Sequence, residues 1–191
     1  MPTFDLRNIQ VAPYTNTNGT ITYGTKVSAG GAMNVNLELR FAEGRLYAEG
    51  RLAEYIREAI GGSISIGVKY LPVDAQKLLF GATEKSRTVS SKTMKSTAYG
   101  ANDSASYVGC SFYAPDMIDG VKKYTCVFIT KAMFGPPGMT YQTKGENITF
   151  QTPTTTGEFL PDDSASAMIV DSYTADTMAD AVAWCNAVLG G

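Results

Sequence analysis

The chain contains no histidine. That absence removes Ser-His and Cys-His couples and every imidazole metal ligand, so any catalysis would rest on carboxylates, lysine or tyrosine alone. Cysteine is scarce too. Cys110, Cys126 and Cys185 are odd in number, widely spaced and set among apolar neighbours. They read as small core side chains, not as a disulfide framework, a ligand set or a nucleophile. Charged residues make up only 18% of the 191 residues, below the usual quarter. The net charge of −2 lacks the basic footprint of a non-specific nucleic-acid binder. No apolar run reaches the length that spans a bilayer. The opening MPTFDLRNIQ lacks a charged region followed by an apolar stretch, so no signal peptide is expected and the chain is expected to be made and folded in a cytoplasm.

What is present favours strands. Hydrophobic residues reach 44%, enough to bury a core, and Gly, Ser and Thr are abundant. The length fits one domain, or one domain with an appendage. Residues 8–14 and 20–23 read as short strands joined at Asn18-Gly19, a strong hairpin signal. Asn18-Gly19-Thr20 and Asn147-Ile148-Thr149 match a glycosylation acceptor but read as chance without a secretory signal. After Gly30-Gly31, the residues Val35, Leu37, Leu39 and Phe41 alternate with Asn36, Glu38 and Arg40. This period of two marks the cleanest strand, with one greasy and one solvated face. Glu43-Gly44 reads as a turn or bend. Residues 49–61 fit two descriptions. Leu52, Tyr55, Ile56 and Ala59 have helical spacing, with Glu54 and Glu58 placed to pair with Arg51 or Arg57; a long ordered loop fits equally.

The stretch from Glu54 to Gly81 organises the rest. Ile64, Ile66, Val68 and Tyr70 alternate with Ser63, Ser65, Gly67 and Lys69, which predicts a half-buried strand. Pro72 ends it, a short helix is expected over Ala75–Phe80, and Gly81 suits the residue after a helix end. Residues 83–106 carry Lys85, Arg87, Lys92 and Lys95 with many Ser and Thr, and read as a surface loop with room for a short strand pair. Residues 107–134 read as a hairpin turning at Asp119-Gly120, with both faces of its second strand covered. Residues 147–160 form a last strand region that Pro153 interrupts, implying an edge or a bulge. From Glu158 onward there are six acids and no Lys or Arg. Thr174 is placed as a helix N-cap, with Asp176 in the first turn and Met178, Ala181, Val182, Cys185 and Leu189 on one stripe bordered by Trp184. The layout expected is a β domain over 1–160 with a basic loop at 83–106, then an acidic extension over 161–191 whose amphipathic helix packs on its own domain or on a neighbour.

Several stretches, in order, carry a likeness. They are Tyr23-Gly24-Thr25, then Leu46-Tyr47-Ala48-Glu49, then Leu71-Pro72-Val73-Asp74 with Leu78-Leu79-Phe80-Gly81, then Lys131-Ala132 to Phe134. The most specific run goes from Tyr141-Gln142-Thr143-Lys144-Gly145-Glu146 to Phe150-Gln151-Thr152-Pro153-Thr154-Thr155-Thr156-Gly157-Glu158-Phe159. Over roughly residues 5–160 the chain resembles the major tail protein, or tail tube protein, of long-tailed bacteriophages. It departs at Glu49-Gly50, where such proteins often show an acidic residue and Asn. The resemblance implies a mainly β, α+β fold, a β-sandwich or split barrel with a short flanking helix and a C-terminal helix. It also implies six-fold rings that stack into a tube in the virion tail, other tail proteins at the tube ends, and DNA passing through the lumen without specific binding. Asn36, Glu38, Ser63 and Ser65 suit a lumen lining, since a neutral or acidic wall avoids attracting phosphates; Arg40 and Lys69 are exceptions unless paired or turned away. An ordinary solvated sheet face explains the same residues. Tyr47, Glu49 and Arg51 are candidate contacts between subunits. The cations Lys85, Arg87, Lys92 and Lys95 are expected to meet the acids Asp162, Asp163, Asp171, Asp176 and Asp180 between subunits, fixing register.

Two other classes of function are open. A monomeric binding module for a carbohydrate or peptide would use stacking surfaces such as Tyr14, Tyr23, Tyr47, Tyr99 and Tyr107. A hydrolase would need two carboxylates, such as Asp116 with Asp119 or Asp162 with Asp163, but these lie where Asp is expected for turns. No enzyme activity, cofactor or metal is expected. A subunit of a contractile tail or a type VI secretion tube is a close variant of the tube, with less likeness in the Gln151–Phe159 run.

Overall fold

The computed structural model describes residues 3–138, 141–143 and 152–190. Its fold is mainly β with two helices. The strands are β1 (Arg7–Thr17), β2 (Thr20–Tyr23), β3 (Val27–Ser28), β4 (Ala32–Ala48) and β5 (Arg51–Val68), followed by helix α1 (Val73–Phe80). Then come β6 (Thr83–Val89), β7 (Lys92–Ala98), β8 (Val108–Ile118), β9 (Val121–Phe134), β10 (Thr154–Phe159), β11 (Val170–Ala175) and helix α2 (Met178–Val188). Nine strands form one sheet along the path β2-β1-β8-β9-β10-β5-β4, with β3 on β1 and β11 on β9. The β6–β7 hairpin stands apart as a sheet of two.

Strand β9 is where the sheet divides. Along one side it pairs with β8, and along the other first with β11 and then with β10. A register shift in the β8–β9 ladder, between the Val108 and Cys110 pairs, lets Ile129 and Ala132 both face the main core although they are three residues apart. At the fork, buried Thr130 donates its Oγ1 proton to the Met168 carbonyl at 2.7 Å. That ties the 161–169 segment onto the sheet.

The main core lies on one face. Ile9 and Val11 of β1, Ile64, Ile66 and Val68 of β5, Leu79 and Phe80 of α1, and Phe134 and Phe159 of β9 and β10 are all but inaccessible. The other face of β8, β9 and β11 is covered by α2. Its Ala181 and Cys185 meet Tyr113, Cys126 and Ala175, and Leu189 meets Ala12 and Phe128. Both faces of β9 are therefore covered, as its near-continuous apolar run predicts. The three cysteines are free and buried, and burial pushes the Cys110 and Cys185 thiols up to about 12 and raises Cys126 as well.

Turn chemistry places the hairpins as expected. Asn18-Gly19 and Asp119-Gly120 have positive φ at both residues, the conformation in which two-residue turns follow the twist of their strands. Gly81 closes α1 in the left-handed region, φ 68°, and donates its N–H to the Lys77 carbonyl.

Several expectations need correction. Gly44 does not turn the chain, because β4 runs on to Ala48 and turns at Glu49-Gly50. Residues 51–61 are neither helix nor loop but the outer half of β5, since pairing with β4 outweighs helical spacing in a stretch with no core beneath it. The ladder of β5 stops at Val68, so Tyr70 lies outside the strand and is exposed. Helix α1 begins at Val73, with Pro72 before it, two residues earlier than expected. Pro153 precedes β10 and does not interrupt it; its carbonyl accepts the Val68 N–H. Strand β10 is central, between β5 and β9, not an edge. The short strand pair for which the 83–106 loop left room is present as the β6–β7 hairpin over 83–98, turning through Ser90-Ser91 with positive φ at both. Thr174 belongs to β11 opposite Thr125, and the cap of α2 is Thr177. Part of the tail-like run, 144–151, and Asn147-Ile148-Thr149 lie outside the described residues.

Candidate functional site

Three surfaces follow from the ladder of β4, β5 and β10 and from the β6–β7 hairpin. The first is a polar face. Asn36 stands opposite Ser65 and Glu38 opposite Ser63, while Thr156 and Glu158 of β10 stand opposite the same two serines from the other side. The four residues expected to line a lumen thus share one face, in two rows across three strands, and β10 adds a residue to each row. The backs of the same strands carry Ile64, Ile66 and Phe159 into the core. Arg40 is paired on this face, its Nη1 donating to Glu158 Oε1 at 2.8 Å. Two acids and one neutralised cation leave the face weakly acidic. Lys69 has no ion pair among the described residues.

The second surface is an arm. Beyond Arg40 and Gly61 the β4–β5 ladder leaves the sheet, and every residue from Leu39 to Ile60 is exposed. Glycine is required at the root. Gly61 has φ 130°, and a Cβ there would sit 2.4 Å from the Phe159 carbonyl oxygen; a Cβ on Gly62 would sit 2.1 Å from the Glu38 carbonyl oxygen. One side of the arm is braced by its own side chains. The Arg57 guanidinium lies 3.9 Å over the Phe41 ring, Arg45 lies 5.6 Å over Tyr55, and both arginines reach Glu43. The other side presents Leu46, Ile56 and Ile60, more than half exposed, with Glu54 and Glu58 between them. Of the expected contact residues here, Tyr47 lies in the last rungs, Glu49 in the turn and Arg51 opposite Ala48. A lone two-stranded ribbon with exposed apolar groups on both sides is marginal in water and calls for a partner.

The third surface is the β6–β7 hairpin. Its cross-strand partners put Lys85 with Ser96, Arg87 with Met94, and Val89 with Lys92 on one side. The other side carries Glu84, Ser86, Lys95, Thr88, Thr93 and Thr97. Glu84 accepts from Lys77 Nζ at 2.6 Å and pairs with Lys95 Nζ at 2.7 Å, which anchors the hairpin to α1. These two ammonium groups, Lys77 first, pull the Glu84 carboxyl down to about 2. Because the folded value lies below the ordinary one, the anchor is complete above about pH 4.5 and is lost as pH falls toward 2. The wild-type hairpin amides should therefore stay protected from exchange at pH 5 and lose protection only on further acidification. Glu84→Gln should show the faster rates already at pH 6, and equal rates for the two chains at pH 6 would refute the anchor.

Four of the five acids expected to meet the basic hairpin are engaged within their own chain. Asp162 is 7% exposed, and its Oδ1 accepts from the Ser164 and Met168 N–H groups. Asp163 takes Lys131 Nζ at 2.9 Å and the Tyr14 hydroxyl at 2.8 Å, and these partners, Lys131 first, hold its carboxyl below the usual range. Asp176 takes Lys123, and Asp180 is held at the start of α2, its N–H donating to the Thr177 hydroxyl and its carboxylate accepting that hydroxyl's proton. Asp171 lies within β11 opposite Phe128. Of the basic set, Lys95 is paired with Glu84, whereas Lys85, Arg87 and Lys92 have no ion pair among the described residues.

The carboxylates considered for hydrolysis occupy structural positions. Asp116 is fully buried and hydrogen-bonded to the Thr125 hydroxyl, while Asp119 sits in the β8–β9 turn. Of the tyrosines, Tyr14 and Tyr23 pack edge to face at 6.0 Å, and the hydroxyl of half-buried Tyr23 donates to the Thr130 carbonyl. Lys131 Nζ lies 4.8 Å from the Tyr107 ring centroid. Tyr99 does line an open cleft of about 430 Å³, with Tyr70, Gln76, Pro137 and Pro153. Among the described residues no cluster of His, Cys, Asp or Glu could hold a metal, and no helix is long and apolar enough to cross a membrane. Comparison with protein-family models and with curated proteins finds no match to this chain.

Proposed function

We propose that this chain is a structural subunit that self-assembles into rings stacked as the tail tube of a long-tailed bacteriophage, the conduit through which DNA leaves the particle. The observation that carries the proposal is the β4–β5 arm, a long ribbon at the edge of the sheet with large apolar side chains that no other described residue of the chain covers. A second copy removes both liabilities at once, covering the apolar groups and the open edge, and a closed ring does so for every copy. The polar face of β4, β5 and β10 supports a bore-lining role. It is hydrated and weakly acidic, and its arginine is neutralised by Glu158, so it would not hold the phosphates of passing DNA. The six-fold order rests on the family resemblance.

Negative-stain electron microscopy of the purified chain at rising concentration, in low and high salt, tests the proposal. Rings or hollow tubes with a bore wide enough for duplex DNA are the expected result. A uniform monomer at every concentration would favour the second reading, a binding module, which the cleft at Tyr70 and Tyr99 supports because its aromatic and proline walls suit a sugar ring or an extended peptide. A glycan and peptide array would then be the informative screen.

A further inference from the structure

We infer that the arm of one copy docks on the β6–β7 hairpin of the next, Glu54 and Glu58 meeting Lys85 and Lys92 with Ile56 set against Met94. The inference rests on the self-association proposed above and names the two surfaces that meet. Its first ground is composition. The outer side of the arm alternates carboxylates with apolar groups, Glu54 and Glu58 among Leu46 (57% exposed), Ile56 (59%) and Ile60 (51%). One side of the hairpin alternates cations with apolar groups, Lys85, Arg87 and Lys92 among Val89 (51%) and Met94 (52%). None of these five charged groups has an ion pair among the described residues.

Its second ground is spacing. Glu54 and Glu58 are four strand residues apart, which at about 3.3 Å each is roughly 13 Å. Lys92 stands opposite Val89, and Val89 is four residues from Lys85, so the two lysines are also roughly 13 Å apart along the hairpin. Midway along the arm lies Ile56, and midway along the hairpin lie Arg87 and Met94. The midpoint contact is therefore apolar on apolar, with the ion pairs at either end. Arg51, at the outer end of the same side of the arm, sits beside Glu49 in the turn and falls beyond the docked span. Each two-stranded element is marginal alone, and docking gives each a covered side. The acidic C-terminal segment is the poorer partner, because Asp162, Asp163, Asp176 and Asp180 are engaged within the chain.

Charge reversal in the full chain tests this. One variant carries Glu54→Lys and Glu58→Lys, and a second carries Lys85→Glu, Arg87→Glu and Lys92→Glu. Each alone should raise the concentration needed for assembly by at least about 10-fold, since several modest pairs are lost and turned repulsive. Mixed together the two variants should co-assemble, because each then offers the surface that the other has lost. A third chain with Ile56→Cys and Met94→Cys should cross-link between copies with a short bis-maleimide, the three native thiols being buried. If the wild type assembles and reversal changes nothing, this docking is overturned while self-association stands. If the reversed chains fail alone and also fail as a mixture, with no cross-link between 56 and 94, the two surfaces meet something other than each other. If the wild type does not associate at any concentration, both readings fall together.

Discussion

Replacing residues 42–58 with an Asn-Gly turn yields a chain that folds as the intact one does and no longer assembles. Phe41 and Ala59 are directly opposed, so a two-residue turn joins them at the spacing the ladder already has. No residue from 42 to 58 belongs to a core cluster, and none is buried. The thermal midpoint should therefore move little. Assembly should suffer far more. Covering a Leu or Ile side chain is worth roughly 1.5–3 kcal/mol, and the truncation removes Leu46, Leu52 and Ile56 together with Tyr47 and Tyr55. Even after the cost of association, the concentration required should rise by at least about 100-fold, equivalent to roughly 2.7 kcal/mol. Sedimentation velocity beside a thermal melt separates the two effects. Tubes formed by the truncated chain would show that the arm is not the assembling element, and a failure to fold would show that the arm supports its own domain.

Phe159→Ala should have the largest effect on the fold itself, at about 3–5 kcal/mol. The ring is inaccessible to solvent and fills the core against β5, its tip occupying the space where a side chain on Gly62 would stand. A domain of ordinary stability holds only about 5–15 kcal/mol in total, so the variant should be close to unfolding at 37 °C. Phe159→Leu keeps most of the volume and should cost less than about half as much. Urea denaturation measures both. A cost under about 1 kcal/mol for the alanine variant would mean that the core collapses onto the gap, which the backbone contacts at Gly61 and Gly62 argue against.

The sequence made some of this legible and hid the rest for definite reasons. Alternation in Val35–Phe41 and Ser63–Val68 gave both the strands and their faces, because a side-chain period of two is a property of the backbone itself. It was silent on register, and only the ladder shows that Asn36, Ser65 and Thr156 form one row and Glu38, Ser63 and Glu158 the next. Asn-Gly and Asp-Gly gave two hairpins, whereas Glu49-Gly50 and Ser90-Ser91 adopt the same positive φ without so plain a signal. The outer arm misled because Leu52, Tyr55, Ile56 and Ala59 satisfy a helical stripe, yet no core exists for such a stripe to cover. Strand β11 was missed because Asp171 and Ser172 break its apolar pattern; its place comes from pairing with β9. The cap of α2 was within reach, since Thr177 and Asp180 have the spacing of a capping box and Thr174 has no acid three residues on. The basic set is exposed, as its polar surroundings in the sequence imply, but a count of acids does not show which of them are engaged.

The three buried thiols have a consequence for how such an interface could be controlled. Histidine and cysteine are the side chains whose ordinary ionisation lies nearest neutrality. Here the first is absent, and the second is moved upward at every position. The remaining ionisable side chains ordinarily change charge well to the acid or the alkaline side of neutrality. Contacts built from this chain's carboxylates and cations thus lack a proton-operated dial near neutral pH. Ionic strength remains an effective one, because screening acts on exposed pairs whatever their protonation. Acidification of the surroundings toward pH 6 would leave such contacts as they are, while a change in salt would tighten or loosen all of them together.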